Sequence, residues 1–245
     1  DTVLPITLAG LQSWYKYNHN YWEGSIMTRE DVRRAVKGYA DSASVALWEG
    51  LAAGIAEAEA TLRGLPHRSD YPFALPLLAR MHMRNYWIDG GAPAGWVVGG
   101  NPRLMGQTLL LHKEANIEMR LLKERRRTYP GGVPVAGTNA ERRQYWQAML
   151  PFNSVFPNES LVEDRLRLLL LWDRVMSGGE GRLTLRIVRT LGPGIYGQRV
   201  PLDMNYEIKQ HGGIFDHLRF PGDPQDDDLF ADIDWQENEG DDLAQ

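Results

Sequence analysis

Three glycines that follow a predicted strand match half of a dinucleotide-binding fingerprint. Gly192, Gly194 and Gly197 have the spacing G-x-G-x-x-G, in which glycines let the backbone approach a pyrophosphate closely. The other half of the fingerprint is a helix that begins at the last glycine and offers free N–H groups to the phosphates. Here the following residues alternate between apolar and polar types and include Pro201. The pattern therefore predicts a hairpin loop and no nucleotide cofactor.

Two other groups contain side chains of the kind used in acid–base or metal chemistry. Glu114 and Glu118 are one helical turn apart beside His112, a spacing that suits general acid–base work or a di-iron site. The matching Glu-x-x-His elements are missing, so a solvated helix face is the stronger interpretation. A second group lies in a glycine-containing stretch without calcium-loop spacing and consists of His211, Asp216 and His217. The sequence thus predicts no catalytic residue and no metal site.

The composition excludes several further classes of chemistry. The chain of 245 residues has no cysteine, which rules out disulfides, thiolate catalysis and cysteine-ligated zinc or iron–sulfur clusters. No G-x-S-x-G nucleophile motif is present. No apolar run approaches the roughly 20 residues needed to cross a bilayer. Hydrophobic content of 43% and charged content of 24% are those of an ordinary soluble globular protein.

The net charge of −5 conceals an uneven distribution along the chain. Residues 223–245 contain ten acidic side chains and no basic one, so the first 222 residues carry a balance of +5. Apolar side chains interrupt this acidic tail at Leu229, Phe230 and Trp235, which a purely solvating tail would not need. Acidic residues with spaced aromatic anchors are typical of a segment that docks on a basic, partly apolar groove, either of its own body or of a neighbour.

Aromatic side chains crowd the N-terminal segment without helical or strand periodicity. Trp14, Tyr17 and Trp22 lie within twelve residues that contain five aromatic rings. Exposed rings of this kind form platforms for a sugar, a base or a partner chain, whereas buried rings pack over their own domain. The sequence favours a packed loop or a protein partner over a ligand platform.

Apolar residues at helical spacing predict five or six helices. The run Leu168–Trp172 contains no polar residue, which predicts a central helix buried on all sides. Thr28 and Thr138 are expected to cap two of the others, and Asn101 with Pro102 a third. The cations of residues 123–127 then complement the negative end of a helix. The predicted helices cover residues 28–62, 72–87, 101–127, 138–150 and 158–176.

The period changes to two after residue 181. Apolar and polar side chains alternate over residues 183–187 and again over 200–208, which predicts a long β-hairpin. Pro201 places the second strand, with Tyr206, at a sheet edge. An edge strand with such an alternating run is able to accept a strand from another chain.

Together these patterns predict a mainly α protein with a C-terminal β-hairpin and an extended acidic tail. The expected divisions are an aromatic arm over residues 1–24, a helical core domain over 25–181, the hairpin over 182–210 and the tail over 211–245.

The leading functional hypothesis is a non-catalytic structural or accessory subunit of a large multiprotein assembly. Its arm, hairpin and tail, and the glycine-rich loop around Trp96, would contact neighbouring subunits. The alternative is an enzyme or carbohydrate-binding protein that uses the aromatic arm and Asp or Glu side chains. Nucleic-acid binding rests only on the cations of residues 123–127 and is not favoured. The first residue, Asp1, suggests a processed start, as in a mitochondrial complex or a virion, or a trimmed chain; the location stays open. The partner-binding candidates are Trp14, Tyr17, Trp22, Trp96, Tyr206, Leu229, Phe230 and Trp235.

Overall fold

The computed structural model describes residues 29–146, 165–177 and 180–211. The chain divides into two compact units, Asp1–Gly212 and Gly213–Gln245, and every described residue belongs to the first. The helices of this part are α1 (Arg29–Arg63), α2 (Ala74–Tyr86) and the short α3 (Ala140–Trp146). The strands are β1 (Trp96–Gly99), β2 (Leu109–His112), β3 (Ile117–Lys123), β4 (Leu166–Ser177), β5 (Glu180–Thr190) and β6 (Leu202–Glu207).

The six strands form one mixed sheet in the order of the sequence. All neighbouring strands are antiparallel except β3 and β4, which run parallel. A parallel pair needs a crossover, and residues 124–165, which include α3, supply it. Helices α1 and α2 pack on one face of the sheet, whereas Trp146 of α3 and the segment around Val133 pack on the other. In the described part of the chain the core therefore has two layers, one on each side of the sheet.

The prediction of a mainly α protein with five or six helices is wrong. The described residues contain two α-helices longer than ten residues, one short α-helix, two short 3₁₀ and π segments and a six-stranded sheet. Two of the predicted helices, over residues 101–127 and 158–176, are replaced in their described parts by strands and turns. The protein thus combines a helical pair with a mixed sheet.

The stretch predicted as the central helix is the central strand β4. Its side chains point alternately to the two faces, so Leu168 and Leu170 contact the helical layer while Leu169 and Leu171 contact the opposite layer. A strand covered on both faces reads as a continuous apolar run, which a helix buried on all sides would also produce. The apolar run therefore predicted the burial of this stretch correctly and its conformation incorrectly.

The stretch predicted as a helix over residues 101–127 forms a single turn followed by the β2–β3 hairpin. Asn101 does cap a turn, since its side-chain oxygen accepts a hydrogen bond from Arg103 N at 3.0 Å. The chain leaves this turn at Gly106, whose φ of 69° is left-handed. Asn116, with φ 50°, completes the turn between β2 and β3, a conformation that asparagine tolerates well. The cations of residues 123–127 consequently follow a strand and do not end a helix.

The helices predicted at residues 28–62 and 72–87 are confirmed as α1 and α2. Gly50 and Gly54 of α1 lie where α2 and the turn after it approach most closely. A methyl group added at Gly54 would lie 2.9 Å from Ala79 O and from Met83 N. Glycine at this position therefore allows the two helix backbones to come together. The short predicted helix at residues 138–150 is present as α3, but its cap is Asn139, whose side chain accepts from Arg142 N at 3.0 Å.

The predicted β-hairpin is confirmed as β5 and β6, with β6 at the edge of the sheet. Its alternation is interrupted by a bulge, because Arg189 pairs with Met204 and Thr190 with Leu202, which leaves Asp203 as the extra residue. Leu202 therefore faces the second layer, whereas Met204 faces the helices. The bulge also turns Asp203 into the core, where its carbonyl oxygen accepts from Arg33 at 2.7 Å.

Candidate anion-binding site

The candidate site is built around two aromatic rings at the end of α3. The rings of Tyr145 and Trp146 lie 6.2 Å apart, and both side chains are buried. Trp146 is fixed from two sides: its indole N–H donates to Pro134 O at 2.8 Å, and the hydroxyl of Thr190 donates to its carbonyl oxygen at 2.6 Å. The pair thus forms a rigid apolar floor on the second face of the sheet.

Three arginine side chains lie over this floor. The guanidinium carbon of Arg142 is 5.2 Å from the centre of the Trp146 ring. Those of Arg120 and Arg167 are 5.7 Å and 5.9 Å from the centre of the Tyr145 ring. A cation over a ring face is attracted by the ring quadrupole, so these contacts hold the guanidinium groups in place while partly removing them from water.

Arg80 of α2 and Arg125, which follows β3, extend the group into a cluster. Burial lowers the pKa of Arg80, and the positive charges of Arg120 and Arg125 lower it further. Burial likewise lowers the pKa of Arg142, with further contributions from Arg120, Arg125 and Arg80. Arginine nevertheless remains protonated in proteins. Arg80, Arg120, Arg125 and Arg142, here named the arginine cluster, therefore place four like charges within electrostatic reach of one another.

Arg80, Arg125 and Arg142 have side-chain donors without a polar partner among the described residues. The Nε atom of Arg142 is buried and has no hydrogen-bond partner. Neither Arg80 nor Arg125 makes a side-chain hydrogen bond or ion pair in the part of the chain described. The carboxylate of Glu118, which lies beside Tyr145, accepts from Arg165 at 3.3 Å. Arg80, Arg120 and Arg142 are partly buried and Arg125 is exposed, so the cluster remains partly in contact with water.

The other buried carboxylates of the sheet show the usual arrangement. Glu124 pairs with Arg186 at 2.6 Å and with Arg126 at 2.8 Å. Asp203 accepts from Arg189 at 3.2 Å and also pairs with Arg29 and Arg33 of α1. These arginines surround an anion that the fold itself supplies. In these groups the carboxylates are buried, and of the arginines only Arg186 and Arg189 are largely buried as well.

An exposed apolar loop joins β5 to β6. Between β5 and β6, Ile195 is 64% exposed and Tyr196 is 75% exposed. We name these two residues the hairpin tip. The Tyr196 ring contacts that of Tyr129, with 5.6 Å between the ring centres, and Tyr129 in turn interacts electrostatically with Arg142.

The loop that carries the hairpin tip is firmly attached to the body. The carbonyl of Pro193 accepts from Ala136 N at 2.9 Å, and Ile195 O accepts from Gln198 N at 3.0 Å. Gly194, with φ 73°, packs so closely that an added methyl group would lie 2.7 Å from Val200. These contacts fix the backbone, so the exposure of the two apolar side chains follows from the loop's attachment to the core.

Two of the predicted partner-binding residues are in contact with other residues of the same chain. Trp96 is only 6% exposed and packs edge-on against His112 at 5.2 Å. Tyr206 is partly buried, and its hydroxyl is hydrogen-bonded to Asp41 of α1. The remaining candidates lie outside the described residues, and they are Trp14, Tyr17, Trp22, Leu229, Phe230 and Trp235.

The acid–base candidates are separated by the strand geometry. Glu114 is exposed in the β2–β3 turn, whereas Glu118 is buried on the second face of β3 and paired with Arg165. His112 is buried, and its Nδ1 accepts from Ala115 N at 3.1 Å. The described residues contain no group of three His, Asp or Glu side chains placed to hold a metal. Asp216 and His217 lie outside the described residues.

The three glycines of the partial dinucleotide fingerprint lie in the loop between β5 and β6, as the hairpin interpretation predicted. Gly194 and Gly197 have φ values of 73° and 76°. The loop returns directly to β6, so no helix starts at the last glycine. The loop carries the hairpin tip.

Sequence reasoning missed the arginine cluster because its members are far apart in the chain. Only Arg125 belongs to the cationic run that the sequence shows, and within that run Lys123 pairs with Asp173 at 2.7 Å. Arg80, Arg120 and Arg142 come from a helix, a strand and another helix. No spacing rule connects these positions, and the cluster appears only once the sheet and its crossover are known.

Comparisons with protein-family models, with curated proteins and with solved structures gave no significant match. No described helix is long and apolar enough to cross a membrane. The functional conclusion therefore depends on the geometry of the chain itself.

Proposed function

We propose that the protein is a non-catalytic structural or accessory subunit of a multiprotein assembly, and that the hairpin tip is one of its contacts with a neighbouring subunit. The observation that carries the proposal is the exposure of Ile195 and Tyr196 on a loop whose backbone is fixed. Exposed apolar side chains on a rigid support bind a partner without the entropy cost of ordering a loop. Tyrosine is also enriched at protein interfaces.

The edge strand β6 is less suited to accept a strand from another chain than its alternating sequence predicted. The bulge at Asp203 interrupts the strand, and Arg33 occupies the carbonyl of that residue. Bulges and charged side chains at an edge hinder the addition of another strand. The contact through the hairpin therefore involves its tip more than its edge. The acidic tail remains a second proposed contact, for the reasons given by its sequence.

The test is the size of the native particle at endogenous expression, measured by light scattering for the full chain and for an I195S/Y196S double variant. The wild-type chain is expected in a particle far larger than its own 27.8 kDa. The double variant is expected to leave that particle, because loss of two central apolar contacts typically weakens binding by 100-fold or more, about 3 kcal/mol.

F73S is the matched control, because Phe73 is 63% exposed and lies at the start of α2, remote in sequence from the hairpin tip. This variant should stay in the particle. A wild-type chain that runs as a monomer would refute the subunit proposal. A large particle that keeps the double variant would refute the role of the hairpin tip.

A further inference from the structure

We propose that an exposed apolar patch beside α2 binds an acidic segment with apolar anchors on a partner protein. The patch consists of Met81 of α2 and of Leu104 and Met105, which lie in the turn before β2, and all three side chains are exposed. We name these three residues the methionine patch. The patch belongs to a different part of the chain from the hairpin tip, and its binding activity does not depend on that loop.

The turn that carries Leu104 and Met105 is attached to α2. A methyl group added at Gly106 would lie 3.2 Å from Cγ of Met81. The guanidinium group of Arg84, one turn further along α2, donates to Gln107 O at 3.3 Å. The turn is closed by a hydrogen bond of 2.9 Å from Gly106 N to Pro102 O. The patch is therefore a preformed surface, and a partner binds it without the cost of ordering a loop.

Met105 has a backbone conformation that side chains other than glycine rarely adopt. Its φ of 52° lies in the left-handed region, where a Cβ atom is disfavoured. Such strain persists only where the surrounding structure imposes it, and it is concentrated at functional sites. The side chain gains little burial in return, because it is 66% exposed. A flexible, polarisable thioether in this position suits an adaptable contact with a partner.

The charges around the patch determine which partner fits it. The charged side chains of α2 and of residues 99–107 are all basic, and they are Arg80, Arg84 and Arg103. Two of them directly precede residues of the methionine patch in the sequence. A positive rim around an apolar centre attracts a negatively charged partner and disfavours a basic one. A segment in which acidic side chains surround apolar anchors supplies both parts of this complementarity.

An anionic membrane has the same sign of charge as such a segment, but it fits the surface less well. Recognition of anionic lipids typically uses a cluster of roughly 4–8 Lys or Arg side chains. The two elements of the patch supply three arginines, and Arg84 already donates to a backbone carbonyl. The number of cations therefore favours a protein segment.

The test is a fluorescence anisotropy titration of a short labelled peptide, in which Glu residues are interspersed with Leu and Phe, with the full chain. Two control peptides carry Lys in place of Glu, or Ser in place of Leu and Phe. Only the acidic apolar peptide is expected to bind in a saturable way, and its affinity should fall as the salt concentration rises. Binding of all three peptides, or of none, would overturn the proposal. Tighter binding to vesicles of phosphatidylserine and phosphatidylcholine than to the acidic peptide would also overturn it, in favour of a membrane.

Two double variants test the assignment to these residues. L104S/M105S should weaken binding of the acidic peptide by about tenfold or more, since it removes two apolar contacts at the centre of the surface. I195S/Y196S is the matched control, because it also removes two exposed apolar side chains but in another loop. It should bind the peptide with wild-type affinity, whatever its effect on assembly. Unchanged affinity in L104S/M105S would count against the methionine patch and leave the proposed role of the hairpin tip untouched.

A substitution of Met105 alone separates a binding residue from a structural one. M105G removes the side chain and relieves the left-handed strain, because glycine adopts a positive φ at little cost. Its Tm should equal or exceed that of the wild type while its affinity for the acidic peptide falls. A lower Tm with unchanged affinity would show that Met105 is merely structural.

The acidic tail of the chain itself is a competing occupant, and the variant L229S/F230S/W235S tests it. The full wild-type chain is expected to bind the peptide as well as this variant does. A chain that binds the peptide only when the three anchors are removed would assign the methionine patch to the tail and overturn the assignment to a partner protein.

Discussion

Replacement of glycine by alanine is expected to have opposite effects on stability at two positions of α1, Gly54 and Gly38. The reason is that α2 approaches α1 closely at Gly54. A methyl group at Gly54 would lie 2.9 Å from two backbone atoms of α2 and even closer to the side chain of Met83. Carbon contacts are optimal at about 3.5–4.0 Å, so the helices must separate. A methyl group at Gly38 of α1 would meet nothing within 4 Å.

The magnitudes follow from two opposing terms. Alanine is favoured over glycine inside a helix by about 1 kcal/mol, and this gain applies at both positions. Overpacking against a backbone that cannot rotate away costs about 2–3 kcal/mol, and this cost applies only at Gly54. G38A is therefore expected to stabilise the protein by up to about 1 kcal/mol, and G54A to destabilise it by about 1–2 kcal/mol.

The assay is urea denaturation followed by far-ultraviolet circular dichroism, with the slope m compared between variants. Equal slopes would show that only stability has changed. The two midpoints should move in opposite directions from that of the wild type. Stabilisation of similar size by both substitutions would refute the reasoning, because it would mean that α2 does not contact α1 at Gly54.

Three further outcomes follow from buried polar groups. Burial lowers the pKa of His112 in the folded chain, although Glu114 partly opposes this. The stability contributed by the neutral, buried imidazole is therefore complete above the pKa of an unfolded histidine, about 6.5. It is lost as pH falls below that value. The difference in urea midpoint between pH 7.5 and pH 5.5 should thus shrink in H112Q. D203N should cost about 3 kcal/mol in the same assay, since it removes the buried partner of three arginines; a cost below about 0.5 kcal/mol would contradict the role of the bulge. W146F should cost about 1–3 kcal/mol more than W172F, because the indole N–H of Trp146 donates to a carbonyl while that of Trp172 has no partner among the described residues. Equal costs would contradict a stabilising role for the Trp146 hydrogen bond.

The features predicted well were those that depend on local chemistry. The end of α1 at Gly64 and the alternation of the β5–β6 hairpin depend on residues that are neighbours in the sequence. The predicted cap Thr28 lies outside the described residues. The failures arose where one pattern suits two structures. The run Leu168–Trp172 is apolar because both faces of β4 are covered, and periodicity alone does not separate such a strand from a buried helix. The crossover that covers its second face lies elsewhere in the chain.

The bulge at Asp203 shows a second limit on what the sequence pattern predicts. The alternation over residues 200–208 assigns Val200, Leu202 and Met204 to the same face, but one extra residue moves Met204 to the opposite layer. A single-residue slip exchanges the faces of a strand, and only its partner strand reveals the slip. The arginine cluster was hidden for a similar reason, since tertiary structure alone brings Arg80 to Arg142.

The parallel pairing of β3 with β4 also has consequences for folding. Strands β1–β3 and strands β4–β6 each form a local antiparallel meander, and residues such as Ile117 and Leu166, about 50 positions apart, join the two. Closing a loop of that length costs about 1.4 kcal/mol more than closing one of ten residues, so we expect the meanders to form first and to join late. Until they join, β4 presents an unpaired edge that is apolar on both sides. Refolding yield should therefore fall as protein concentration rises, because one copy's β4 edge is then able to pair with another before its own β3 arrives.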